Sequence, residues 1–224
     1  MNTGKLYVVS TPIGNLDDIT YRAVDTLKAV DLIAAEDTRH TGRLLSNFGI
    51  QTRQIPYHDH NKEKVTPRIL DEITDGKNVA VVSDAGTPGI SDPGFYLIRQ
   101  CLQSNIEVIP VPGASSMLAA LVSSGMATDR FAFEGFLPRT KGKAVSRLNE
   151  IKDDARTLIF FESPHRLGKT LALMLEVFGE RNAYVGRELT KKFEEHYYGA
   201  ISGLISEFSD KKPKGEIVIV ISGK

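Results

Sequence analysis

The apolar positions of this chain follow two rhythms. Short β-branched runs at residues 6–10, 31–36, 79–83 and 107–111 alternate with longer stretches whose apolar residues recur at helical spacing. The first, third and fourth runs are nearly continuous in apolar character, as strands covered on both faces should be. The stretches between them predict helices over 21–29, 41–48, 64–75, 94–103 and 115–124. Pro67 is expected in the first turn of its helix, where a missing N–H costs little. This alternation predicts a mainly parallel sheet with right-handed crossovers. The rhythm restarts after 123–129. Strands are expected at 131–136, 156–162, 183–188, 193–198 and 216–221, and helices at 144–152, 165–178 and 201–208. The short link between Glu188 and Phe193 makes those two strands antiparallel neighbours. The fold class is therefore α/β, with two α/β domains, residues 1–114 and 115–224. The N-terminal sheet is mainly parallel and the C-terminal sheet mixed.

In an open α/β sheet, ligands sit outside the carboxyl ends of the strands. Here those ends are polar, charged or rich in Gly and Pro: Ser10-Thr11-Pro12-Ile13-Gly14-Asn15, then Glu36-Asp37-Thr38-Arg39-His40, Tyr57-His58-Asp59-His60-Asn61, and Pro110-Val111-Pro112-Gly113-Ala114-Ser115-Ser116. The most sharply shaped is VVSDAGTPGISDPG, residues 81–94. It has glycines, prolines and aspartates but no lysine, whereas a phosphate cradle would carry GxxxxGK[ST]. Such a loop suits a ligand held by shape and backbone hydrogen bonds. A dinucleotide site fits poorly. Glu36 does stand about 20 residues after the first loop, where a ribose-binding acid belongs, but G-x-G-x-x-G is absent. His58 and His60 would face the same way on a strand, yet no further His or Cys cluster joins them, and no metal is expected.

In the second half, Glu162-Ser163-Pro164-His165-Arg166 ends a strand and opens a helix. Ser163 is a candidate N-cap and Pro164 the residue after it. Gly186-Arg187-Glu188-Leu189-Thr190-Lys191-Lys192 is a similar charged strand end. Basic residues concentrate at Arg139, Lys141, Lys143 and Arg147, uninterrupted by acids from 139 to 147. They are either solvated loop lysines and arginines or contacts to RNA phosphates.

Composition narrows the class only modestly. Of 224 residues, 41% are hydrophobic and 25% charged, with zero formal net charge, so no global basic field advertises nucleic acid. The single Cys101 excludes an internal disulfide framework and fits a reducing compartment. No run is long and apolar enough for a membrane span. A cytoplasmic enzyme is expected.

Taken together, TPIGNLDDIT, DLIAAEDTRHT, YHDHN, VSDAGTPGISDPG, PVPGASS, TDRFAFEGFLPR, RTLIFFESPHR, GRELTK and KGEIVIVISG resemble the signature blocks of the ribosomal RNA small subunit methyltransferase I family. That family belongs to the tetrapyrrole methylase-like, S-adenosylmethionine-dependent superfamily. The blocks run in order over nearly the whole chain. The resemblance implies two α/β domains with the cofactor in the interdomain cleft, and a homodimer. It implies methyl transfer to the ribose 2′-oxygen of a cytidine in small-subunit ribosomal RNA. Pro12, Ala85, Gly86, Thr87, Ile90, Ser115 and Ser116 match cofactor-contacting positions, and Glu162 and Leu189 fall at second-domain contact positions. The candidates to activate or orient the acceptor hydroxyl are Asp37, His40, His58 and Glu162, with Arg39 beside them. Arg139, Lys141, Lys143 and Arg147 are the candidates to hold RNA. Family members commonly continue past the KGEIVIVISG strand into a small helical tail, whereas this chain ends at Lys224.

Overall fold

A computed structural model describes residues 3–211 and 213–224. The chain divides into two compact units, Met1–Ser115 and Ser116–Lys224.

The first unit is a parallel sheet of β1 (Leu6–Val9), β2 (Leu32–Ala35), β3 (Gln54–Pro56), β4 (Val79–Val82) and β5 (Val108–Val111), in the order β3-β2-β4-β1-β5. Helices α1 (Tyr21–Ala29), α2 (Thr38–Asn47), α3 (Lys62–Thr74) and α4 (Phe95–Gln103) connect the strands. Residue parity divides them between the two faces. Leu6, Val8, Val79 and Val81 pack with Ile69 and Ile73 of α3 and Leu97 and Cys101 of α4. Val9, Ala80 and Val82 pack with Ala23 and Leu27 of α1 and Leu45 of α2. Both faces are dry, which is why β2 and β4 are buried at every position.

The second unit has a mixed sheet of β6 (Phe131–Phe136), β7 (Thr157–Glu162), β8 (Asn182–Arg187), β9 (Glu195–Ala200) and β10 (Ile217–Ile221), ordered β6-β7-β10-β8-β9. Only β6 and β7 are parallel, and β8 and β9 are antiparallel neighbours, as their short link predicts. Helices α6 (Lys141–Ile151), α7 (Leu167–Phe178) and α8 (Ile201–Glu207) pack on one face around Leu148, Phe160, Leu171 and Ile219. Helix α5 (Ser116–Ser123) lies on the other, against Ile159, Tyr184 and Val220.

The structure departs from the sequence pattern at element ends. Helix α2 begins three residues before the expected Thr41, because Asp37 caps it, accepting from the Arg39 N–H at 2.8 Å. The Glu-Asp-Thr-Arg-His strand end is thus largely a helix's first turn. Helix α3 begins at Lys62, so Pro67 lies well inside it rather than in its first turn. The lost bond falls on the Glu63 carbonyl; Glu63 and Pro67 are both exposed, and water can take that acceptor. Helix α7 begins at Leu167 with Arg166 at its N-cap, not Ser163. Ser163 instead offers its carbonyl to the N–H groups of Arg166 and Leu167 through an intervening turn. The three-residue β3, with its proline, is too short for a periodic signal.

Phe160 is fully buried at the centre of the second core. Phe160→Ala is expected to destabilise this unit by about 3–5 kcal/mol, since it removes a ring and leaves a cavity. Urea unfolding followed by circular dichroism measures it, and a loss below about 1 kcal/mol would show that the core collapses around the missing ring.

Candidate functional site

Strand β4 ends at Val82, and the chain turns at once into the 83–94 loop, whose first residue, Ser83, is 1% exposed. The loop is fastened to the neighbouring strand end. Thr11 and Gly86 exchange backbone hydrogen bonds, Thr11 N–H to Gly86 O at 2.9 Å and Gly86 N–H to Thr11 O at 3.1 Å. The Thr11 hydroxyl donates to Ser83 O at 3.2 Å, and the Ser10 and Thr87 hydroxyls lie 2.8 Å apart. This fastening needs glycine. Gly86 has φ +79, the left-handed region that side chains resist. Gly94 has φ +146, and a Cβ there would stand 2.9 Å from Gly89 N. Pro12 and Gly86 are buried, Ala85 and Thr87 half-buried, and Ile90 is 42% exposed. The Ala114 carbonyl lies 3.8 Å from the position of a Gly86 Cβ, so the turn after β5 reaches the same place. Half-buried Ser115 ends this unit, and Ser116 is the first residue of α5 in the next.

Beside this loop, the ends of β2 and β4 are locked reciprocally. The Asp84 N–H donates to Glu36 Oε2 at 3.2 Å, and the Asp37 N–H donates to Asp84 Oδ1 at 3.2 Å. Burial pushes the Glu36 carboxyl above its ordinary value, and the charges of Asp84 and Asp59 add to the shift. Its neighbour Asp37 goes the other way. Arg39 grips it with two N–H groups at 3.2 and 3.0 Å and holds its carboxyl far below the usual carboxylate range. A carboxylate so stabilised is a weak proton acceptor. In this structure Asp37 caps α2 and pairs with Arg39, and its role as a general base stays a candidacy. His40 is exposed on the first turn of α2. His58 and His60 are not on a strand: they follow β3 in a turn closed by Asn61 Oδ1, which accepts the His58 N–H at 2.9 Å. Their rings meet edge to face at 6.0 Å. His58 Nδ1 is buried without a hydrogen-bond partner among the described residues. Among those residues, no group of three or more His, Cys, Asp or Glu is placed to hold a metal ion.

In the second unit, Glu162 is likewise paired internally. Its side chain is 0% exposed and both oxygens are occupied: Oε1 accepts the Ser163 N–H at 2.7 Å and Oε2 the Thr170 hydroxyl at 2.5 Å. It braces the turn into α7 in this structure. Leu189 is 7% exposed, packed with Tyr184 and Ile159. Its neighbours Glu188 and Thr190 both have positive φ, 52 and 67, so the loop that presents it is tightly wound.

The basic segment is less uniform than its sequence suggests. Arg147 donates to Glu134 Oε2 at 2.9 and 2.7 Å and to Glu150 Oε2 at 2.8 Å. Glu134 is delivered by a β-bulge in β6 between Phe133 and Gly135. In this structure Arg147 is paired with two carboxylates, unlike the other three basic residues of the segment. Lys141 stands 3.8 Å from Glu176, and Arg139 and Lys143 are exposed with no acidic partner among the described residues. Glu36, which the sequence offered only as a ribose ligand, is the functional candidate underrated there; a carboxylate at a strand end next to Asp37 was the available signal.

A carboxyl with a raised folded pKa has its extra stability at low pH and loses it as pH rises through the folded value. Ionised Glu36 thus costs stability at neutral pH, whereas Gln, still able to accept from the Asp84 N–H, does not. The melting temperature of Glu36→Gln minus that of the wild type is expected to be larger near about pH 7 than near about pH 4. A difference that is flat or falls with pH would contradict the shift.

Residues 5–205 match the family described as Tetrapyrrole (Corrin/Porphyrin) Methylases. A protein of Synechocystis sp. named ribosomal RNA small subunit methyltransferase I is 53% identical, over 98% of this chain and 79% of its own length. One of the same name from Thermotoga maritima is 48% identical, over 99% of each. Among solved structures, uroporphyrin-III C-methyltransferase from Thermus thermophilus complexed with S-adenyl homocysteine superposes with a TM-score of 0.68, at 17% identity, over 99% of this chain and 98% of that one. At that identity the likeness speaks for the fold, while the family match and the near-full-length relatives speak for descent: this chain belongs to the tetrapyrrole (corrin/porphyrin) methylases, in the family of its ribosomal RNA small subunit methyltransferase I relatives.

Proposed function

We propose that this chain transfers a methyl group from S-adenosylmethionine to the ribose 2′-oxygen of a cytidine in small-subunit ribosomal RNA, as a cytoplasmic homodimer. The observation that carries the cofactor reading is the Thr11–Gly86 fastening of a glycine-shaped loop that contains no Lys or Arg from 83 to 94. The relatives named ribosomal RNA small subunit methyltransferase I support the substrate.

The residues present fit the cofactor. Gly86 and Gly94 let the loop take its tight left-handed course, and Ile90 offers apolar surface. The carboxylates of Glu36 and Asp84 at the base of the loop favour a nearby cation, where a lysine would repel one. Pro12, Ala85, Gly86, Thr87, Ile90 and Ser115 would hold the cofactor. When bound, the cofactor supplies an electrophilic methyl on sulfonium.

The chain's own task is then to place and deprotonate a hydroxyl. Orientation supplies much of the rate, and a proton acceptor supplies part of the rest. Glu36 and His58 are the acceptors proposed: Glu36 because burial raises its basicity, His58 because its buried Nδ1 has no partner among the described residues. The Asp37 N–H, donating to Asp84 Oδ1, ties the start of α2 to the loop beside them.

Labelled cofactor offered small ribosomal subunits or a porphyrinoid tests the reading. Label is expected on the ribose 2′-oxygen of a cytidine; label on the porphyrinoid, or none on RNA, would overturn it. Gly86→Leu places a side chain at φ +79, 3.4 Å from Ile13 Cγ2 even at its Cβ. It is expected to abolish cofactor binding by calorimetry while circular dichroism stays native; retained affinity would remove this loop from the site.

A further inference from the structure

Two helices of the second unit begin in a way that conflicts with their own dipoles. Helix N-termini attract anions, through unpaired N–H groups and the summed peptide dipoles. The common solution is a capping side chain and carboxylates in the first turn. Neither α6 nor α7 has either. Thr140 at the N-cap of α6 and Arg166 at the N-cap of α7 make no side-chain cap, and neither first turn contains an acid. Lysines stand there instead: Lys141 and Lys143 on α6, and Lys169 on α7. A protein that breaks a local rule twice in adjoining places does so at functional sites more than elsewhere.

These starts adjoin a single cavity of about 420 Å³, whose ten lining residues include Pro138, Arg139, Lys141, Arg166, Lys169 and Glu176. Four of the ten are cationic. Arg166 is fixed in place, its Nη2 donating to Leu137 O at 2.9 Å and its Nε lying 3.4 Å from Glu162 Oε1. The one carboxylate in that lining, Glu176, reaches only Lys141, at 3.8 Å, and both side chains are well exposed, so the pair is weak and easily exchanged. Arg139 and Lys169 have no acidic partner among the described residues. Glu162 offsets Arg166 and Glu176 partly offsets Lys141, so the uncompensated positive charge of the cavity lies on Arg139, Lys169 and the helix starts.

We infer that this groove, between the starts of α6 and α7, is a phosphate site that takes a backbone phosphodiester of the RNA substrate. Arg139 and Lys169 are its principal cations, Lys141 becomes available as it leaves Glu176, and Arg166 holds the wall. Phosphate contacts of this kind fix the register of a nucleic acid without reading its bases. The inference rests on the RNA reading above. It adds Lys169 and Arg166 to the site, which the run of basic residues at 139–147 does not contain, and it excludes Arg147, which is committed to Glu134 and Glu150.

The test uses the full chain, a small-subunit RNA fragment, and two variants. In Arg139→Ala/Lys169→Ala, RNA affinity is expected to fall. The slope of log affinity against log salt should become shallower by about 1.4, at about 0.7 per lost contact to single-stranded RNA. Cofactor affinity by calorimetry should not change. In Lys169→Glu, an acid replaces a cation in the first turn of α7, so the melting temperature is expected to hold or rise while RNA binding weakens. An unaltered salt slope in the double variant overturns the groove. So does a Lys169→Glu protein that loses melting temperature and cofactor affinity together, since the lysine would then be structural. Wild-type protein that neither binds nor labels RNA overturns the underlying reading instead, and the two failures are told apart by the wild-type arm.

Discussion

The two backbone hydrogen bonds between Thr11 and Gly86 are the constraint on which the first unit's chemistry depends. Adjacent parallel strands stop pairing where their loops begin, so nothing in a sheet obliges the loops after β1 and β4 to stay together. The Thr11–Gly86 bridge extends the pairing past the strand ends. It converts two loops into one surface, reinforced by the Ser10–Thr87 and Thr11–Ser83 contacts. The left-handed backbone at Gly86 gives the chain room to turn back, and the absence of a side chain keeps the turn open to a ligand. A loop this tightly held pays its ordering entropy at folding rather than at binding.

The neighbouring carboxylates show how one short segment obtains groups of opposite character. Glu36 and Asp37 are consecutive, yet burial raises one and Arg39 depresses the other. The alternation of a strand sends the first towards Asp84 and the protein interior. The start of α2 turns the second outward, where a guanidinium and a backbone N–H can reach it. The opposite shifts of the two carboxyls thus follow from where β2 ends and α2 begins.

In the second unit the charges are sorted by the same logic. Arg147 lies on the sheet side of α6, and the bulge in β6 brings Glu134 beneath it. Arg139 and Lys169 lie where helices start, and the first turns of those helices carry no acid. Glu162, buried beneath the turn into α7, satisfies that turn's donors and fixes Arg166, so the wall of the cationic groove is built from the interior outward.

Much of this was legible in the sequence. The strand runs, the alternation that makes the first sheet parallel, the antiparallel return of β9 and the ligand-shaped 83–94 loop all follow from periodicity and turn chemistry, which act over a few residues and leave local marks. Charge pairing does not act locally. Arg147 meets Glu134 because a bulge and a helix face coincide, and Glu162 meets Thr170 because a turn folds over it. The start of α2 was misjudged because the Asp37 cap lay inside a segment that also read as a charged strand end, and Pro67 because a solvated carbonyl tolerates it. The sequence by itself determined which segments are strands, helices and connecting loops, since hydrophobic period and backbone preference are properties of neighbours. Only the tertiary structure decided which charged groups are spent on each other and which remain for a ligand, because that depends on distance and burial between residues far apart in the chain.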